Sequence, residues 1–179
     1  MIHSPLKTGL AFCFWGVMAM AQAQTGINCD VLRFQTLDAS FIEVHVEFEG
    51  SLFRSSPGPD GWQTEVQIEA VVHSADGIVN YGKTNVLGPA SIDSLSAIAG
   101  TQFHLERIEA PSGVFNVTVT ISDSHPESNF RQELNLPVQI AALDQPTWSD
   151  PFIVEAFAPS DEELTMLSRS GYEMLPITH

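Results

Sequence analysis

The stretch Phe41-Ile-Glu-Val-His-Val-Glu-Phe48 alternates apolar and polar residues from its second position onward. Successive side chains of a β-strand point to opposite faces, so this period of two predicts a strand. Its core face is predicted to carry Ile42, Val44, Val46 and Phe48. Glu43, His45 and Glu47 are expected to face solvent. A strand with one wet face is typical of an antiparallel sheet.

The same pattern recurs along the chain. Further strands are predicted over 62–73, 78–87, 102–108, 114–122 and 131–140. In the first and fourth of these the residues expected to face the core are Val66, Ile68, Ala70, Val72, Phe115, Val117, Val119 and Ile121. Phe103 and Leu105 are expected to face the core, with His104 on the outward face. The dipeptide Asp76-Gly77 tolerates the positive φ of a tight hairpin. Pro137 lacks an N–H, which suits an edge strand.

Strands without long crossover helices predict two antiparallel sheets packed face to face. The stretch 90–100 is either a short helix or a crossover loop. The predicted fold is therefore an all-β, immunoglobulin-like antiparallel β-sandwich of about seven strands. The Cys…Trp…Cys pattern of true immunoglobulin domains is absent from the sequence. A β-barrel is the structural alternative.

The two ends of the chain differ from this middle. Residues 1–23 combine a cation at Lys7, an apolar run and Ala21-Gln-Ala23, which is typical of a cleaved signal peptide. We expect the sandwich over 24–145 and a strand with a short helix over 146–179, where a further, truncated domain could begin. The segment 152–157 is apolar on both faces apart from Glu155, which predicts a covered strand. Ser160-Asp-Glu-Glu163 matches a capping box.

Charge restricts the classes of partner. The chain has 22 acidic residues and 7 Lys and Arg, for a net charge of -15. Only Lys7 of these charges lies in the predicted signal, so the mature part would carry 6 − 22 = -16. Such a polyanion repels phosphate backbones, which argues against a nucleic-acid partner. Divalent cations, basic peptides and neutral glycans stay open. No second apolar run predicts a membrane span after cleavage.

Sequence motifs for catalysis are absent: there is no G-x-S-x-G, no H-E-x-x-H, no C-x-x-C and no glycine-rich phosphate loop. We therefore expect a protein that is not an enzyme and has no cofactor. Loop acids are calcium candidates, because Ca²⁺ prefers oxygen ligands; they are Asp123, Glu127 and Asp150. Trp148 is the candidate ligand-binding residue, since an exposed indole can stack on a sugar ring. After signal cleavage Cys29 is alone, and it is either a bystander or pairs with another chain.

Several segments together resemble a known family. They are the strand 41–48, the Asp76-Gly77 hairpin, Pro111-Ser-Gly-Val-Phe115 leading to Asp123, and Gly171-Tyr-Glu-Met-Leu-Pro176. Over about residues 30–176 the chain is similar to the N-terminal β-sandwich region of the bacterial GWxTD-domain envelope proteins. The family's naming motif belongs to a later domain, and Gly61-Trp-Gln-Thr64 is followed here by Glu65 in place of Asp. The resemblance implies export and a sandwich, without catalytic residues.

These observations predict an exported, non-enzymatic interaction or assembly module of the bacterial cell envelope, periplasmic or at the cell surface. Its partner would be another envelope protein. Two alternatives stay open: a carbohydrate-binding module that uses Trp148 on a neutral glycan, or a non-catalytic fragment of a larger secreted enzyme.

Overall fold

The computed structural model describes residues 26–36, 38–144, 148–160, 165, 167–169 and 171–176. The strands are Ile27–Gln35 (β1), Ser40–Glu49 (β2), Ser55–Gly58 (β3), Gly61–Ser74 (β4), Gly77–Leu87 (β5), Thr101–Glu109 (β6), Gly113–Asp123 (β7), Arg131–Ile140 (β8), Val154–Pro159 (β9), Ser168–Arg169 (β10) and Tyr172–Pro176 (β11). A single helical turn, Ser94–Ala97 (α1), lies between β5 and β6, and a 3₁₀ turn covers Gly50–Leu52. The predicted all-β class is confirmed.

The strands form three antiparallel sheets, and the arrangement includes a curled half-barrel. The first sheet has the order β1-β2-β6. The large sheet has the order β3-β4-β7-β8, with β5 also paired to β4. The C-terminal sheet has the order β10-β11-β9. Since β8 ends the large sheet, Pro137 does lie on an edge strand, as predicted.

One hydrophobic cluster joins the first and large sheets. It takes buried side chains from β2, β4 and β7, at the positions where the alternating pattern predicted core residues. Those residues are Ile42, Val44, Val46, Phe48, Val66, Ile68, Ala70, Val72, Phe115, Val117, Val119 and Ile121. Burial of an aliphatic or aromatic side chain contributes about 1.5–3 kcal/mol, so these three strands hold the fold together.

The prediction for β6 was wrong about its faces. In the register with β2, His104 lies opposite Val46 and therefore shares the core face, while Leu105 lies opposite His45 on the outer face. Phe103 and Leu105 of β6 thus lie on the far side of the first sheet. Only Ile108 of β6 joins the main core cluster.

The edges of β5 and β6 approach each other without a strand ladder, and we call this the β5–β6 seam. Thr84 Oγ1 donates to Glu106 Oε2 at 2.8 Å, and Asn80 Nδ2 donates to the Glu109 carbonyl at 2.8 Å. A Cβ on Gly82 would meet the Glu106 side chain at 2.7 Å, so a glycine permits this close approach.

Some segments differ from the prediction, and other predicted segments lie outside the described residues. Strands β1 and β3 were not predicted, and the ambiguous stretch 90–100 contains the α1 turn. The predicted signal peptide at 1–23 and the capping-box residues 161–163 lie outside the described residues. Within the described part of the chain, no helix has the length and apolar character needed to cross a membrane.

Candidate functional site

A segment we call the strap, residues 148–153, runs beside β1. The Asp150 N–H donates to the Arg33 carbonyl at 2.9 Å, and the Arg33 N–H donates to Asp150 Oδ2 at 2.8 Å. One residue earlier, Ser149 Oγ accepts from the Gln35 N–H at 3.2 Å. The strap therefore binds the edge of β1 that does not pair with β2.

Arg33 and Asp150 form a bidentate ion pair that fixes the strap. The guanidinium reaches the two carboxylate oxygens at 2.8 Å (Nε) and 2.5 Å (Nη2). It also donates through Nη1 to the Gln139 carbonyl of β8 at 3.2 Å. Hydrogen bonding from Arg33 holds the pKa of Asp150 below its ordinary value. One side chain thus ties β1, β8 and the strap together.

Trp148 lines a cleft of about 240 Å³, and Arg33 of this ion pair lines it too. Its side chain is 96% exposed. The cleft is lined by Arg33, Phe34, Gln35, Gln139, Ile140, Ala141, Trp148 and Ser149. An uncovered indole beside amide, hydroxyl and guanidinium donors can stack on a ring and hydrogen-bond its polar substituents.

The outer face of the first sheet was predicted to be exposed to solvent, but in the structure it is largely covered. Glu43 is fully buried and His45 is 5% exposed. The prediction was wrong because the strap covers this face: the Phe152 ring packs edge-on against the His45 ring at 5.5 Å between centroids. Phe103 of β6 packs against the same imidazole at 5.6 Å. Alternation alone does not reveal a second covered face.

The buried carboxylate of Glu43 has an arginine and a histidine as its neighbours. Arg107 donates to Glu43 Oε1 through Nε at 3.0 Å and Nη2 at 2.7 Å. His45 Nε2 lies 3.4 Å from Glu43 Oε2. The Arg107 guanidinium also lies over the Phe41 ring, 5.1 Å from its centroid. The Glu43 end of this ion pair is buried and the Arg107 side chain is 48% exposed. No pattern in the sequence indicated that these two residues would meet.

His104 is also buried, contrary to the outward position predicted for it. It is 2% exposed, and its Nε2 lies 3.2 Å from Glu106 Oε2 at the β5–β6 seam. Burial lowers the pKa of His104, and the hydrogen bond to Glu106 opposes that effect in part. This histidine therefore belongs to a polar layer between the sheets.

The three calcium candidates do not share one set of contacts. Asp123 accepts from the Arg54 and His125 N–H groups, each at 2.9 Å, and Glu127 lies 3.3 Å from Arg54 Nη1. Asp150, in the strap, is paired with Arg33. Among the described residues there is no group of three or more His, Cys, Asp and Glu side chains that could hold a metal. Calcium binding stays a prediction.

The C-terminal sheet exposes apolar side chains. The sequence predicted a covered strand around 152–157, yet β9 is exposed at every position after Val154. Phe157 is 69% exposed and packs edge-on against Tyr172, with 5.9 Å between ring centroids. The prediction was wrong about cover within the described residues, because only β11 lies beside β9. Neither Phe157 nor Tyr172 was a predicted site residue.

The opposite face of this sheet is polar. Glu173 accepts from the Thr165 hydroxyl at 2.6 Å and from the hydroxyl of Ser168. The Ser168 hydroxyl bond holds the pKa of Glu173 below its ordinary value. Residues directly opposite in an antiparallel pair share a face, so Phe157 lies with Met174 and Ala158 lies with Glu173. The face with Phe157 and Tyr172 therefore carries the aromatic pair, and the face with Glu173 carries the hydrogen bonds from the Thr165 and Ser168 hydroxyls.

Comparison with known proteins adds nothing to this geometry: no family model, no curated protein and no solved structure matches the chain.

Proposed function

We propose that the chain is a non-enzymatic interaction module of the bacterial cell envelope that binds a partner protein through its C-terminal sheet. The observation that carries the proposal is β9. The sequence predicts a covered strand over 152–157, apolar on both faces apart from Glu155, yet within the described residues β9 is exposed at every position after Val154. Exposed aromatic side chains that pack against each other, as Phe157 and Tyr172 do, are typical of a protein–protein contact.

We expect the aromatic pair Phe157 and Tyr172 to supply most of the binding free energy of this surface. Phe157 and Tyr172 are already held edge-on at 5.9 Å, so a partner would meet a preformed platform. Covering the Phe157 ring contributes about 1.5–3 kcal/mol. Aromatic residues of this kind are the usual anchors of an interface, where a few side chains carry most of the binding energy.

The remaining parts of the proposal concern fold family and location. We propose an immunoglobulin-like sandwich for the first and large sheets, supported by their shared hydrophobic cluster. We propose export by a signal peptide at 1–23, supported by its charged start, apolar run and Ala21-Gln-Ala23. Periplasmic or cell-surface location follows, and the resemblance to GWxTD-domain envelope proteins points the same way.

Site-specific photo-crosslinking in intact cells tests the interaction. A photoreactive phenylalanine replaces Phe157 in one variant and Tyr81 of β5 in the matched control, because Tyr81 is 65% exposed and lies outside the C-terminal sheet. We expect a discrete adduct with an envelope protein from position 157 alone. Absence of an adduct at 157, or equal adducts at both positions, contradicts the proposal.

A second candidate function is neutral glycan binding at the Trp148 cleft. The observation that favours it is an indole 96% exposed beside a cleft with Gln35 and Gln139 in its lining. Trp148→Ala should abolish retention on a glycan array, whereas Tyr81→Ala should retain it. Unchanged retention by Trp148→Ala, or no retention by the parent chain, removes this candidate.

A further inference from the structure

The direction of the backbone groups of β1 is fixed by contacts at both ends of the strand. Just before its start, the Gly26 carbonyl accepts from the Glu49 N–H of β2 at 2.8 Å. Near its other end, the N–H and C=O of Arg33 both bond to Asp150 of the strap, on the side away from β2. Between these contacts the β1–β2 ladder pairs the two strands residue for residue. Because the direction of bonding alternates along an antiparallel strand, the even-numbered residues of β1 bond to β2 and the odd-numbered residues point their backbone groups to the outer edge.

Part of this outer edge is without a partner. No described residue bonds to the outward backbone groups of Ile27, Cys29 and Val31. The strap pairs with the same edge further on, at Arg33, and then turns onto the outer face of the sheet, where its Phe152 ring lies. Between Ile27 and Val31 the strand has no Lys, no Pro and no bulge, which are the features that commonly protect an edge. Buried backbone groups in folded proteins are nearly always paired, and Ile27 is 7% exposed, so this row favours an added strand.

The added strand would lie on the open side of the half-barrel. β1 and β8 are the end strands of the first and large sheets, and the β5–β6 seam closes the opposite ends of the same two sheets. On the inward faces, Cys29 and Val31 of β1 and Leu134 and Leu136 of β8 are half-buried against the core cluster. A strand beside β1 places every second side chain on this inward face. Those side chains must therefore be apolar.

Charge indicates the rest of the occupant's chemistry. Asp30 lies on the outward face of β1, is exposed, and has no ion-pair partner among the described residues. A cation on the outward face of the added strand would lie beside this carboxylate, and an opposite-charge pair across two strands is favourable. A second copy of the chain is disfavoured, because a net charge of -15 on each copy opposes self-association.

We infer that β1 receives, along Ile27–Val31, an extended segment of another protein that has alternating apolar residues and a Lys or Arg on its other face. Backbone hydrogen bonds come from the three outward residues, apolar contact comes from the inward face, and the cation lies beside Asp30. The new ladder continues the one that the strap already makes with this edge at Arg33. This is a second interaction surface, in a different sheet from the C-terminal surface of the proposed function.

Peptide binding to the full chain, measured by fluorescence anisotropy, tests the inference. The probe is a fluorescent ten-residue peptide of alternating Lys and Val, and alternating Glu and Val is its control. We expect binding of the Lys-Val peptide only. Asp30→Asn removes the charge at the edge and should weaken binding about two- to threefold. Glu155→Gln is the matched control, because Glu155 is an exposed acid of β9, and it should leave the affinity unchanged. Equal weakening by the two variants would overturn the site on β1.

Removal of one outward N–H tests the backbone pairing itself. Val31→Pro removes the N–H that would donate to the added strand, and it should weaken binding of the Lys-Val peptide about tenfold or more. An unchanged affinity in a folded Val31→Pro variant would overturn strand addition.

Amide hydrogen exchange by NMR gives a readout on the parent chain that does not depend on the folding of any variant. The Lys-Val peptide should slow exchange at Cys29 and Val31 and leave Asp30 unchanged, since the Asp30 N–H already bonds to β2. No added protection at Cys29 and Val31 refutes the inference. Strong protection of both amides before peptide is added also overturns it: a dimer at raised protein concentration would then identify a second copy on this edge, and a monomer would identify this chain's own residues.

The two proposals fail separately. An adduct from position 157 without peptide binding overturns the strand-addition inference and leaves the interaction module intact. Peptide protection at Phe157 in place of Cys29 and Val31 also overturns strand addition to β1. Protection at Cys29 and Val31 without an adduct from position 157 overturns the C-terminal surface alone.

Discussion

Replacing Arg107 with methionine tests the ion pair that holds the buried Glu43 carboxylate. The variant keeps a long side chain over Phe41 and removes two charge-assisted hydrogen bonds, at 2.7 and 3.0 Å, from the fully buried Glu43 carboxylate. Breaking a buried pair from one side costs about 3–5 kcal/mol. The Arg107 side chain is 48% exposed, so water can enter in its place and the lower end applies. We expect a loss of about 3 kcal/mol in the free energy of unfolding.

Urea unfolding at about pH 7, followed by far-UV circular dichroism, measures this loss. For a slope of about 1.5–2 kcal/mol per molar urea, the midpoint should fall by about 1.5–2 M. Arg131→Met is the matched control, because Arg131 is an exposed cation at the start of β8, and it should change stability by less than about 0.5 kcal/mol. The double variant Glu43→Met with Arg107→Met should be more stable than Arg107→Met alone, since no buried charge is left without its partner.

Two outcomes would refute this reasoning. The first is an Arg107→Met variant within about 0.5 kcal/mol of the parent, which would mean that Glu43 does not need the guanidinium. The second is a double variant that loses the sum of both single losses, which would show that the two side chains act independently.

Gly61→Ala should destabilise the fold by at least about 1 kcal/mol more than Gly77→Ala: both glycines have φ near +130°, but only at Gly61 would a Cβ meet a backbone atom, the Ser91 oxygen at 2.6 Å. Urea midpoints of the pair measure the difference, and equal midpoints would disprove the clash. Burial lowers the pKa of His104 below its ordinary value of 6.5, so the unfolded chain binds a proton more readily than the folded one. The free energy of unfolding should therefore fall as the pH drops below 6.5. In His104→Gln the free energy of unfolding should depend less on pH between 6.5 and the pKa of the folded state. An unchanged pH profile contradicts this. Burial, with a smaller effect of Asp30, raises the pKa of Cys29 to about 12, so iodoacetamide should modify the native thiol far more slowly than the urea-unfolded one, by mass spectrometry; equal rates would contradict it.

The alternating pattern predicted the main strands because each of them has a strict apolar face. In β2, β4 and β7 this face is the core, and the residues assigned to it are buried. β1 was missed because its sequence, Ile27-Asn-Cys-Asp-Val-Leu-Arg-Phe-Gln35, has no clean period of two. It packs as an edge strand beneath the strap, where both faces need partial cover.

The candidate site was less predictable, because its residues meet only through tertiary contacts. Trp148 could be chosen as an exposed aromatic residue beside a loop, but its cleft is also lined by Arg33, Phe34 and Gln35, which are distant from it in sequence. The same holds for Glu43 and Arg107, whose meeting follows from the β2–β6 register. The apolar composition of 152–157 did carry a signal, although cover for that strand is not present within the described chain.

The β5–β6 seam is a place where the molecule can open locally. Because side chains close it, water can enter there after the loss of the Thr84 and Asn80 bonds, with every strand ladder left intact. Local opening of this kind costs far less than global unfolding. Solvent would reach His104 by this route before any sheet comes apart, which makes the seam the natural entry point for proton exchange with the interior.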